Sequence, residues 1–254
     1  MTLIAYKIVA ALLIFLTSIA AVAYPLKTKG KIKHNDSFEL GEALASGIFL
    51  GVAFFHMLPN SIAVFHELYE NLYYPVPEAI CAIGFLLLLF LERLSFISTT
   101  EKQHTAIPHI LALILILHSL IEGAALGVGD TFAQALLIFI AIMAHKGSAS
   151  FALCVTLMRY QLSFARISTI IIIFSLMTPL GIALGTVVSL FTHSMGGELI
   201  EAIFNAFAAG TFLYISALHH IRFHQRRIEK KQGMLEFGCL ALGLVTMGVI
   251  AVWT

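Results

Sequence analysis

Leu111-Ala112-Leu113-Ile114-Leu115-Ile116-Leu117-His118-Ser119-Leu120-Ile121-Glu122-Gly123-Ala124-Ala125-Leu126 decides the fold. The run is aliphatic enough to cross a bilayer core, which takes about 20 apolar residues. Yet it holds a histidine and a glutamate near its middle. Ionisable groups at that depth are costly and as a rule face a cavity or a pathway. His118 and Glu122 are four residues apart and share one helical face. The next apolar run is broken by His145-Lys146-Gly147-Ser148, and the connection around Gly129 to Phe132 is very short. Short connections make antiparallel neighbours. Counting about ten residues into one run and about fourteen into the other, at ~1.5 Å each, puts His118 and His145 at similar mid-bilayer levels. Two imidazoles and a carboxylate form a donor set that Zn²⁺ accepts, and Fe²⁺, Mn²⁺, Cd²⁺ and Co²⁺ satisfy it too.

The composition agrees with a membrane protein. Of 254 residues, 59% are hydrophobic and 11% charged, with a mean hydropathy of +0.95. Soluble domains carry roughly 25% charged residues. A net charge of +1 gives no nucleic-acid signal. Cys81, Cys154 and Cys239 fall inside apolar runs and read as reduced, buried small hydrophobes.

Eight spans result, at about 3–24, 40–62, 76–98, 108–128, 131–158, 167–191, 199–220 and 234–253. No soluble domain fits between them, so 1–254 reads as a single all-α transmembrane domain. The first run ends in Ala21-Val22-Ala23, which could pass for a signal-peptide cleavage site. However, Lys27, Lys29, Lys31 and Lys33 follow it and only Lys7 precedes it, so it reads as a retained span. With the N-terminus outside, loops 25–39, 99–107, 159–166 and 221–233 collect the basic residues. The opposite side holds Glu67, Glu70, Glu78, Asp130 and Glu198. That asymmetry puts both termini on the extracytoplasmic side of a cell membrane. The compact loops suit a bacterial inner membrane, and a eukaryotic plasma membrane stays open.

Five ordered motifs resemble those of the ZIP (Zrt/Irt-like) family of divalent-metal transporters. His118-Ser119-Leu120-Ile121-Glu122-Gly123 resembles the fourth-span signature, and His145-Lys146 the His-Lys form of the fifth span. Phe55-His56-Met57-Leu58-Pro59-Asn60 is similar to a second-span element. Thr178-Pro179-Leu180-Gly181 with Gly185 matches the sixth span, and Gly210-Thr211-Phe212-Leu213-Tyr214 the seventh. The resemblance implies eight spans in a three-plus-two-plus-three inverted-repeat arrangement and inward transport of Zn²⁺. No covalent chemistry and no required cofactor is implied, and no phosphate-binding glycine loop supports ATP-driven pumping. A homodimer is one option for the assembly.

The departures from the family pattern bear on the number of ions. Members with a binuclear centre have an acid where this chain has Ala149, and Lys146 stands where a second-metal carboxylate can sit. Thr178 replaces an acid before the sixth-span proline. The expectation is one metal on His118, Glu122 and His145, with Ser119 or water as a weaker fourth contact. Lys146 either fills the second site electrostatically or forms a salt bridge with Glu122. His56 and Asn60 mark a candidate metal entrance, and His219, His220 and His224 a candidate exit, with solvated histidines as the plainer reading.

A rival from another class is an intramembrane zinc hydrolase, in which the same three ligands leave a fourth position for an activated water. No clear additional general base accompanies the site. A structural subunit, with the polar clusters acting as helix glue, is a third reading.

Overall fold

Lipid offers the backbone no hydrogen bonds, so a spanning segment must satisfy its own N–H and C=O groups. The apolar runs therefore wind into helices. In a computed structural model of the chain, residues 2–28, 36–70, 73–97, 106–191, 196–219 and 230–253 are described, and the regular elements among them are all helical. Helix α1 (Leu3–Lys27) is N-capped by the Thr2 hydroxyl, which accepts from Ala5 N–H at 3.3 Å. Helix α2 (Asp36–Val52) runs through a π turn (Ala53–Met57) into α3 (Leu58–Leu68). Pro59 explains that turn. It lacks the N–H owed to the Phe55 carbonyl and its ring would crowd that oxygen. The wider register just before it, closed by Leu58 N–H on the Ala53 carbonyl, absorbs the defect. The rod consequently continues to Leu68, beyond the expected end at 62.

There follow α4 (Val76–Ile97), α5 (Ala106–Val128), α6 (Phe132–Arg159), α7 (Phe164–Phe191), α8 (Gly196–Tyr214) with a closing π turn (Ile215–His219), and α9 (Lys230–Ile250). A capping box of Thr131 and Gln134 starts α6 directly after the short connection from α5. Its other end turns on Gln161, whose φ of 56° is left-handed without a glycine. Seven of the described rods are long and apolar enough to cross a membrane. The eighth, α4, carries Glu78 in its first turn and Glu92-Arg93 towards its end.

The described helices fall into two compact units. One contains α1, α5, α6 and α7. Its core joins Ala10 and Ile14 of α1 to Leu126, Ile142 and Ile182 of the other three helices. The seam between α5 and α7 is made by glycine. A Cβ at Gly123 would lie on the Thr178 carbonyl, and one at Gly181 on the Leu120 carbonyl. Only hydrogen at these positions lets the two backbones approach. The glycine face of α7 is thus directed at α5.

The other unit contains α2–α4, α8 and α9. Two similar seams hold it: Gly47 and Gly243 between α2 and α9, and Gly84 and Gly210 between α4 and α8. Ser61 donates to the Ala202 carbonyl at 2.7 Å, and Phe49 packs on Phe212 with centroids 4.8 Å apart.

Candidate metal centre

Helix α5 turns His118 and Glu122 to one face, and α6 brings His145 against it, all within the first unit. The three side chains are buried, with exposures of 2%, 9% and 1%. Nδ1 of His145 lies 2.8 Å from the Ala141 carbonyl one turn back. A carbonyl can only accept, so that nitrogen carries a proton, and in the neutral ring Nε2 is the one left with a lone pair. Nε2 in turn lies 2.9 Å from Glu122 Oε1, and His118 Nε2 lies 3.0 Å from the same oxygen. A lone pair and a carboxylate oxygen at that distance call for a cation or proton between them. The donor atoms of the three residues all lie within 4.8 Å of one another. Ligands at zinc bond lengths in a tetrahedron sit about 3.3 Å apart, close to both Glu122–histidine separations, so small shifts close the set. Among the described residues this is the one group of three or more such side chains placed to hold an ion. Glu122 Oε2 is also buried and has no hydrogen-bond partner among them.

Lys146 is 1% exposed and points beside this group. Its Nζ donates to Ser119 Oγ at 2.8 Å and to Thr178 Oγ1 at 2.9 Å, and lies 3.9 Å over the Phe174 ring. The ammonium thus spends two donors on hydroxyls and rests its remaining face on an aromatic ring. Glu122 attracts it, but the ion pairs that Glu122 makes among the described residues are with the two histidines. Ser119, expected as a weak fourth ligand, is engaged by Lys146.

Thr178 and Phe174 were not legible as parts of the site. The first reads as a lost acid, and nothing in the sequence singles out the second. Their signal is their spacing of four on α7, which puts Phe174 two turns and Thr178 one turn before Gly181 and its glycine seam. His56 lies in the π turn of the second unit, half-buried, and Asn60 one turn on is exposed. His219 ends the other π turn, while His220 and His224 lie outside the described residues.

Seven long apolar helices and a buried His–Glu–His donor group define the class, a multi-pass integral membrane protein with a side-chain group suited to a divalent cation. The family described as ZIP Zinc transporter matches residues 4–110 and 98–251. Zinc transporter ZIP1 of Takifugu rubripes is 31% identical, with 94% of each chain covered. Zinc transporter ZIP2 of Homo sapiens is 27% identical over 83% of this chain and 84% of its own, and zinc transporter ZIP1 of Danio rerio is 28% identical over 80% and 83%. The chain belongs to the ZIP zinc transporter family. Its relatives are named transporters, and the hydrolase alternative finds no support among them.

Proposed function

We propose that the protein moves Zn²⁺ across a cell membrane into the cytoplasm by way of His118, Glu122 and His145, with water or Ser119 in the fourth place. One observation carries this reading: a single buried carboxylate oxygen faces two imidazole nitrogens at hydrogen-bond distance, within a chain of the zinc transporter family. These ligands replace hydration water at a depth where a bare cation is costly. The membrane topology is eight crossings, with α4 included, in the three-plus-two-plus-three inverted-repeat order. Both termini are extracytoplasmic, and 1–254 acts as one transporter domain. The two π turns, one in each of α2–α3 and α8, agree with a repeated element. His56 and Asn60 serve the entrance, and His219, His220 and His224 the exit. Lys146 holds the place of a second ion, so one metal is bound in the transport site of each chain.

Uptake of radioactive zinc by proteoliposomes tests the proposal. Saturable uptake is expected from the wild type and none from His118→Ala, Glu122→Ala or His145→Ala at equal reconstituted amounts. Competition by Fe²⁺, Mn²⁺, Cd²⁺ and Co²⁺ in turn ranks the other cations. Near-normal uptake by Glu122→Ala sinks the assignment.

A further inference from the structure

Lys7 is a second buried lysine, and it lies away from the metal group. It sits on α1 and is 5% exposed. Its Nζ donates to the Gly127 carbonyl at 2.6 Å, 120 residues along the chain. Thr186 of α7 donates to the same oxygen at 3.3 Å, and Asp130, in the connection from α5 to α6, attracts the ammonium. Gly127 belongs to the last turn of α5, where carbonyls have no onward N–H and where a cation is favoured.

The turn so capped is weak by composition. It runs from Gly123 to Gly127, immediately after Glu122. Glycine is the poorest helix former after proline. Both glycines are needed, because α7 carbonyls occupy the places their Cβ atoms would take. The turn therefore depends on what grips it from outside: α7 along its side and Lys7 at its end. Glu122, which joins the two imidazoles, is the residue from which that turn departs.

We infer that Lys7 is a positioning residue for the metal site. By capping α5 at Gly127 it keeps the Gly123–Gly127 turn wound and holds the Glu122 carboxylate in register with His118 and His145. This deepens the transport reading and rests on it. Arginine at this position keeps a charged donor, whereas methionine keeps the apolar stem and loses the cap.

The test uses the full chain, purified and reconstituted, as wild type, Lys7→Met and Lys7→Arg. Amide hydrogen exchange over residues 123–129 without metal reads the cap itself, and the KM and Vmax of zinc uptake read the site. Lys7→Met is expected to speed exchange in that segment and raise the zinc KM roughly three- to tenfold, less than the full worth of a charge-assisted hydrogen bond because the cap reaches the site only through the turn. Vmax per molecule stays near wild type, and Lys7→Arg restores most of both. Wild-type exchange in Lys7→Met overturns the cap, and faster exchange with an unchanged KM overturns its link to the site. If Lys7→Met does not insert, Asp130→Asn on an exposed side chain loosens the same cap. It must then move both readouts in the same direction, and unchanged values overturn the inference. Wild-type protein without saturable uptake refutes the transport reading instead, and the exchange comparison still decides the cap.

Discussion

At the scale of residues, Glu122 concentrates the chemistry because one of its oxygens faces both imidazoles. Glu122→Gln keeps its size and removes its charge. Zinc affinity should fall by more than about 100-fold, beyond what losing an outer partner of a ligand costs, with titration calorimetry in detergent as the check. In the proposed site Lys146 sets the ion count. A second divalent ion would meet its positive charge at roughly 4–6 Å, a repulsion of several kcal/mol even at an effective dielectric of about 20. Anomalous scattering from zinc-saturated crystals should find one ion per chain in the mid-membrane site, and Lys146→Asp with Ala149→Glu should raise that to two. Two fully occupied cadmium positions between α5 and α6 in wild-type crystals contradict this.

At the scale of elements, the α5–α7 seam positions the site. A Cβ at Gly181 would meet the Leu120 carbonyl and the backbone of Gly123 and Ala124, none of which can turn away. Gly181→Ala should therefore part the helices, cost about 1–3 kcal/mol as overpacking does, and lower the melting temperature of the purified protein together with its zinc affinity. Gly238 on α9 faces open space, so Gly238→Ala should leave both unchanged or raise stability slightly through helix propensity. Equal melting of the two variants would remove the seam from the account. The repeat of Gly181 and Gly185 is legible in sequence as a face for some helix. That the helix is α5, and that the contact seats Thr178 under Lys146, is a matter of packing.

At the scale of the whole molecule, the metal group and Lys146 are complete within the unit of α1, α5, α6 and α7, while His56 and Asn60 belong to the other unit. The proposed orientation rests on loop charge. A cysteine introduced at Thr254 should be labelled by an impermeant reagent applied outside intact cells, and one at Lys230 should not. The reverse pattern would overturn the orientation and with it the inward direction.

The apolar runs by themselves determined the helical class, because unpaired backbone in lipid is too costly for other forms. Local spacing did the same for the His118–Glu122 face, and the short Gly129–Phe132 connection for its meeting with His145, since neither depends on distant chain. Helix ends were less legible: the second span is expected to end at about 62, yet a π turn carries the rod through Pro59 to Leu68. What only the tertiary structure decided are contacts between residues far apart in sequence. The Lys146 bond to Thr178 and the Lys7 bond to Gly127 leave no periodic trace, because each depends on how separately formed helices pack.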